Sequence, residues 1–468
     1  MMNNVIPMRI LHFDMKAMIP TAEFMLELLP EISAMGYNAL LVEFEDKFPY
    51  RNIPEIVHPD AWSREEFALF RSKAQECGIK IVPLVQCAGH LDYVLKHDKF
   101  RSLREGDPPR DSTNEWCLHD SREPFRIFST MVQEILEFFP DCEYFHIGAD
   151  EYNCKIPCSR CQNSDRFEQF LDHVLNCTEF VKNAGKKVVV WDDMFRKHDS
   201  EKLNSLLALV VPCVWQYIGI NEEFINRMVQ ISAEVWGASK IQNDPRYRGL
   251  GAQDAVMTNV DDWAAVSEKY KISGLVATIW GRNHGMSPLA QTMPESFYMM
   301  GYQAYTMKNG KITDREKFRK KFASEFFGLD DIPFVDDFFY SPAQAAEGLK
   351  TAMETASRNR NILNIWDCFN AIDVFWEYCD MCFGNNMASY QDYVKMKAPD
   401  DVTFNFLDGV RITRERAEEL KKRFRSELGS LFTPVLLEEY LGSRLDGLLA
   451  VNSFWGKIIQ TAIDGKNI

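Results

Sequence analysis

The stretch Tyr144-Phe145-His146-Ile147-Gly148-Ala149-Asp150-Glu151 is apolar where it starts and doubly acidic where it ends. The apolar part reads as a buried strand, and the acids fall where that strand stops. Along a strand, neighbouring side chains point to opposite faces. At a strand's end the backbone turns, and two adjacent carboxylates can reach one pocket from different angles. An Asp-Glu pair taken alone is usually a solvated acidic turn. The strand context and the flanking His-x-Gly point instead to glycosidic chemistry. There, one carboxyl protonates the leaving oxygen and a second group meets the oxocarbenium-like centre.

The same unit recurs on both sides of this stretch. Apolar runs at 9–15, 39–46, 80–86, 143–150, 187–194, 209–217, 233–239 and 274–280 read as eight strands. Amphipathic stretches lie between them, among them 21–34, 63–77, 124–139 and 166–184, and Gly36, Gly78 and Gly185 sit where helix C-caps belong. Strands rich in Val, Ile and Leu fit a parallel sheet buried on both faces. Eight strand–helix units in this order predict an α/β chain with a (β/α)8 TIM barrel over residues 1–310. From 311 to 468 strand-like runs vanish and long helical patterns replace them, at 345–358, 364–383, 413–428 and 436–463. This part reads as an all-helical C-terminal domain packed on the barrel. Pro342 and Ala398-Pro399-Asp400-Asp401 read as loop punctuation.

Composition narrows the function classes. The chain has 468 residues, 46% of them hydrophobic, which is ample for a barrel and a second unit. A net charge of -15 argues against nucleic acid and anionic membrane as partners. Aromatic residues make up 13%, with ten Trp, which suits stacking on sugar rings as well as filling a large core. No run approaches the length of a membrane span. The first nine residues lack a basic region and a long apolar stretch, so no signal peptide is expected. The twelve Cys are then expected to stay reduced and the chain to be cytoplasmic.

Active residues of such barrels sit at the C-terminal strand ends. Those ends offer Asp14 and Lys16, then Glu43-Phe44-Glu45-Asp46, then Gln86 through His90, then Asp150-Glu151. They continue with Trp191-Asp192-Asp193, Trp215-Gln216-Tyr217, Trp236-Gly237 and Trp280-Gly281-Arg282. Four tryptophans at four successive strand ends, with acids on the others, predict a tryptophan-walled, acid-lined cup.

These residues resemble a known family. His146-Ile147-Gly148-Ala149-Asp150-Glu151 is similar to the His-x-Gly-Gly-Asp-Glu signature of glycoside hydrolase family 20, the β-N-acetylhexosaminidases. Pro83 with Gly89-His90 resembles that family's third-strand motif. Phe13 to Lys16, Glu43 to Tyr50 and Trp191 to Met194 resemble the hexosaminidase D branch. The resemblance covers the barrel, about two-thirds of the chain. It implies a retaining exo-enzyme for terminal β-linked GlcNAc or GalNAc, in which the substrate's own acetamido oxygen is the nucleophile. Asp150 would orient the acetamido N–H and stabilise the oxazolinium. Glu151 would be general acid and then base, its pKa raised by partial burial between apolar walls. Tyr217 would bond the acetamido oxygen. His90 would touch the acid, with Glu45 or Asp46 orienting it. His146 would be a supporting partner or a satisfied core histidine. Asp14, Lys16, Trp191, Trp215, Trp236, Trp280 and Arg282 would bind the sugar. No cofactor is implied, and the partner is an N-acetylhexosamine-containing glycoside or oligosaccharide.

Three departures from the family pattern stand out. Ala149 replaces the second Gly, Lys16 stands where many members carry Arg, and Trp280-Gly281-Arg282 replaces Trp-x-Glu. The grip on the 3-, 4- and 6-hydroxyls is therefore altered. Cys154, Cys158 and Cys161 follow the signature with C-x3-C-x2-C spacing, which fits three thiolate ligands of a structural zinc or a metal-free pocket rim. Two other functions are compatible with the chain. One is a barrel glycosidase with separate acid and nucleophile carboxylates, and the other is a sugar-binding barrel without turnover. The intact acid pair and Tyr217 argue against the second.

Overall fold

The computed structural model describes residues 6–152, 157–242, 254–282, 287, 289, 291–337, 341–396 and 400–464. Eight strands close a parallel barrel in chain order. They are β1 (Met8–Asp14), β2 (Ala39–Glu43), β3 (Lys80–Leu84) and β4 (Tyr144–His146), followed by β5 (Lys187–Trp191), β6 (Val211–Trp215), β7 (Trp236–Lys240) and β8 (Gly274–Thr278). β8 pairs back with β1, so no edge strand is left open.

Inward side chains of alternate strand positions fill the barrel. Ile10, Leu41, Leu84, Val189, Cys213 and Val276 belong to one buried cluster, with Trp191 and Trp236 among its largest members. Helices between the strands cover the outside, and their starts follow local chemistry. The helix Arg64–Glu76 opens on a capping box, where Ser63 Oγ accepts from Glu66 N (3.1 Å) and Glu66 Oε2 from Ser63 N (2.7 Å). Gly36, Gly78 and Gly185 follow their helices with positive φ, as the sequence predicts.

All eight strands stand within the expected runs or a residue from them, but most end early. β4 stops at His146 rather than 150, and β2 at Glu43 rather than 46. The trimmed residues leave the sheet as turns at the barrel top, and those turns carry the candidate chemistry.

The described residues divide into two compact units, one of 6–242 with 254–318 and one from Arg319 onward. The second is helical, with Pro342–Thr355, Arg360–Met396, Asp400–Leu428, Pro434–Leu441 and Gly447–Asp464 as its main elements. It has its own aromatic core, in which Phe369 lies 5.4 Å from Phe424 and 5.0 Å from Tyr440. Pro342 is not a loop residue. It opens a helix at its first position, where its fixed φ suits the helix and its missing N–H costs nothing. Residues 397–399 lie outside the described residues, and Asp400 begins a helix. No helix among the described residues is long and apolar enough to cross a membrane.

Candidate active site

The strand tops enclose a cavity of ≈ 310 Å³. One wall is polar, with Lys16, Glu43, Gln86, His90, Asp150 and Glu151. The other carries Trp191, Trp215, Tyr217 and Trp280, and Lys240, Gln242 and Arg282 complete the rim.

The centre of the polar wall is His90. Its Nε2 lies 3.2 Å from Asp150 Oδ2 and 3.2 Å from Glu151 Oε2. Burial disfavours charge on this imidazole, but the two carboxylates outweigh it and hold the pKa well above the ordinary histidine range. Close backbone contact creates the arrangement. A Cβ at Gly89 would lie 2.5 Å from the Asp150 carbonyl oxygen, so only glycine lets the β3 and β4 loops meet there. Gly148 is equally constrained, at φ +67 with Gln86 Oε1 occupying the place a Cβ would take.

Glu151 is held by its backbone. Its N–H donates to Asp193 Oδ2 at 3.0 Å, and Asp193 Oδ1 accepts from Trp215 Nε1 at 3.2 Å. Burial, and then the neighbouring Asp150 charge, push the Asp193 carboxyl up to about 7. The Glu151 side chain is 46% exposed, so its burial is partial. Asp192 is fully buried and anchored by Arg196 (2.6 Å) and by the Trp215 N–H (2.9 Å).

On the aromatic side, Trp280 Nε1 donates to Tyr217 Oη at 2.9 Å. Burial pushes the Tyr217 phenol above its usual range, so it stays protonated. At the foot of the cup Lys16 Nζ lies 2.7 Å from Glu43 Oε2 and 3.1 Å from Asp14 Oδ1. Burial opposes the Lys16 charge, yet the acids around it hold its pKa well above the ordinary value. Burial likewise opposes ionisation of Glu43, but Lys16 and His12 keep its carboxyl far below the usual range. His12, Asp14 and Glu43 are the donor types of a metal site, but the Lys16 ammonium already bonds both carboxylates.

Several expected residues have other positions. Trp236 is not at the cup. It begins β7 rather than ending it, and it is fully buried in the barrel core against Tyr144 (4.8 Å). The strand runs on to Lys240, so Lys240 and Gln242 reach the rim instead. Asp14 does not line the cavity; its Oδ2 accepts from Gly281 N (3.0 Å), tying β1 to the chain after β8. Asp46 bonds Lys47 (2.5 Å) and Lys96 (2.8 Å), and these outweigh burial to hold it at about 2. Glu45 lies 3.8 Å from Lys16 Nζ, and burial pushes its carboxyl well above the usual range. His146 is a core histidine. Its Nδ1 accepts from Gly148 N (2.9 Å), its ring packs 4.4 Å from Trp191, and burial drops its pKa to about 3. Of the three cysteines, Cys154 lies outside the described residues, while Cys158 and Cys161 meet Cys117 and Glu105.

The catalytic-domain model of glycosyl hydrolase family 20 matches residues 30–281, more than half of the chain. The chain belongs to glycosyl hydrolase family 20. Among its relatives is Hexosaminidase D of Homo sapiens, 28% identical over an alignment of 309 residues that covers 61% of this chain and 63% of that protein. Hexosaminidase D of Bos taurus is 23% identical over 353 residues, 69% of this chain and 98% of that one. The match thus spans less than two-thirds of the human relative's length. A solved structure, the β-N-acetylhexosaminidase from Bacteroides fragilis NCTC 9343, superposes with a TM-score of 0.51 at 16% identity, covering 68% of this chain and 69% of that one. That likeness supports the barrel fold.

Several residues of the wall, and Asp193 behind it, carry no role in the sequence pattern. Glu43, Gln86 and Asp193 were visible as strand-end residues, but nothing local showed which way each side chain pointed. Lys240 and Gln242 lie past the apolar run 233–239, so the strand pattern does not mark them.

Proposed function

We propose that this family 20 protein is a retaining exo-β-N-acetylhexosaminidase that removes terminal β-linked GlcNAc or GalNAc by substrate-assisted catalysis. One observation carries the reading. Asp150 and Glu151 share a single His90 nitrogen at 3.2 Å each, in a tryptophan-walled cup that also presents Tyr217. At ≈ 310 Å³ the cup is at the small end for ligand sites, suited to one terminal sugar.

Tyr217 accepts from Trp280, which leaves its own proton for the acetamido oxygen. Asp150 takes the acetamido N–H and turns the oxygen toward C1. Glu151 gives its proton to the glycosidic oxygen as the C1–O bond breaks and the acetamido oxygen closes an oxazolinium ring. Asp150 offsets the positive charge of that ring. Glu151, now a carboxylate, removes a proton from water, which opens the ring at C1. Two inversions retain the β configuration. His90 fixes both carboxylates, and Asp193 fixes the Glu151 backbone. In this reading Lys240 and Arg282 on the rim, with Lys16 at the foot of the cup, hold sugar hydroxyls.

The proposed compartment is the cytoplasm. The Cys117 sulfur lies 3.6 Å from that of Cys158 and 3.5 Å from that of Cys161, too far for a disulfide at about 2.05 Å. Turnover of matched chromogenic β-GlcNAc, β-GalNAc and β-glucose substrates tests the mechanism. Both acetamido sugars are expected to react and the glucoside to be inert. A glucoside hydrolysed at a comparable rate would refute substrate assistance.

A further inference from the structure

We propose that Glu105, Cys117, Cys158 and Cys161 form a structural zinc site that ties the loop carrying Glu151 to the loop carrying His90. All four residues are buried, and one donor atom from each lies within 4.8 Å of all the others. Cys117 Sγ is 3.6 Å from Cys158 Sγ and 3.5 Å from Cys161 Sγ. A tetrahedral zinc with Zn–S bonds of about 2.3 Å spaces its sulfurs at about 3.8 Å, close to what is found.

The second observation is the carboxylate. Glu105 is fully buried, and its Oε1 accepts from Cys158 N at 2.7 Å and Gly106 N at 3.2 Å. Its Oε2 has no hydrogen-bond partner among the described residues. A buried carboxylate oxygen left unpaired is costly, and a cation between it and the sulfurs removes that cost. Cys158 and Cys161 stand on a tight turn, with Cys161 N donating to Cys158 O at 2.9 Å and Gln162 N to the same oxygen at 3.0 Å. This presents both sulfurs on one side. Three thiolates and a carboxylate exceed the zinc charge, and the Arg160 guanidinium beside Cys117 and Cys158 offsets part of the excess.

Donor chemistry selects the metal. Thiolates exclude magnesium and calcium, and three sulfurs with one oxygen suit tetrahedral zinc. Protein fills all four positions, so the role is structural. None of the four residues lines the cup. The link to it is short. Trp116, next to Cys117, donates from its N–H to Ala88 O (3.3 Å), two residues before His90. The carbonyl of Trp116 accepts from Tyr152 Oη (3.1 Å), next to Glu151.

Metal analysis of the full chain, purified without chelator or added metal, is expected to find one zinc per chain. Replacement by Co²⁺ under reducing conditions is expected to give thiolate charge-transfer and tetrahedral d–d bands. Because a cysteine variant can fail to fold, Glu105→Gln is the variant of choice, with circular dichroism as the check on folding. It is expected to weaken zinc binding by more than about 100-fold, beyond the 10–100-fold cost of losing an outer-shell partner. A wild-type chain without zinc and without a tetrahedral cobalt spectrum would overturn the site. Wild-type zinc affinity in folded Glu105→Gln would overturn the ligand set.

Discussion

Asp193→Asn tests how the cup positions its acid. Both Asp193 oxygens accept from N–H donors, one from the Glu151 backbone at 3.0 Å and one from Trp215 Nε1 at 3.2 Å. Asparagine keeps one acceptor and turns an NH2 toward the other donor. One buried N–H is then unpaired, at about 1–3 kcal/mol. If that cost is expressed in the transition state, kcat falls by about 5- to 150-fold. Because the effect passes through Glu151, it should grow as the leaving group becomes poorer, since a good leaving group needs less protonation. Steady-state kinetics on aryl glycosides of graded leaving-group pKa read this directly. The carboxyl also titrates near 7, against about 3.9 for a free aspartate. Its folded pKa is raised, so the folded state holds the proton more tightly and stability falls as pH rises from about 4 to about 7. The asparagine amide does not titrate, so the thermal stability of the variant should be flatter across that window. An unchanged kcat on a poor leaving group, together with an unchanged pH–stability curve, would refute the positioning role.

Other perturbations address single features. Glu151→Gln should lower kcat by about 10²–10⁴-fold on poor leaving groups with the fold intact, and full activity there removes its assignment as acid. Asp150→Asn should be similarly damaging without azide rescue, and mass spectrometry that traps a glycosyl ester on Asp150 would refute the oxazolinium route. Ala149 is fully buried with φ +72. The left-handed conformation costs a non-glycine residue about 1–2 kcal/mol, and glycine gives back about 0.5–1 in entropy, so Ala149→Gly should leave thermal stability unchanged or raise it by up to about 1.5 kcal/mol. A clear loss would show that the methyl packs well enough to offset the strain. With Arg282 on the rim where many members carry Glu, β-GalNAc should be accepted at least as well as β-GlcNAc. A gluco preference in kcat/KM above about a hundredfold would show that another residue grips the 4-hydroxyl.

Strand number, order and closure were legible because each depends on a repeated pattern, an apolar run followed by a helical period, that survives errors of a few residues. Asp150, Glu151 and His90 were legible because their motifs follow closely on the apolar runs of β4 and β3. Trp236 was not. A tryptophan at either end of a five-residue strand gives the same composition, and only the register of β7 separates core from cup. Asp46 and Glu45 failed for a related reason. Past the end of β2 the chain enters a short helical turn, so the strand alternation no longer says which acid faces where. The cysteine cluster was half visible. C-x2-C is local, but Cys117 and Glu105 reach it only through the long loop after β3.

Backbone geometry at the barrel top shows why propensity misplaced the strand ends. Glu45, His90, Ala149 and Glu151 have φ of +44, +55, +72 and +48, a conformation that disfavours side chains with a Cβ. They follow three adjacent strands, β2, β3 and β4. An extended chain through 149–151 would send Asp150 and Glu151 to opposite faces, and only one could reach His90. Left-handed residues on either side of Asp150 turn the chain so that both carboxylates meet the same imidazole nitrogen. The Asp193 bond to Glu151 N and the contact of Gly89 with the Asp150 carbonyl then hold that turn in place. The strain is concentrated where the acid pair is assembled, as it is at functional sites generally. It also explains why the signature runs on as strand in sequence yet leaves the sheet at His146.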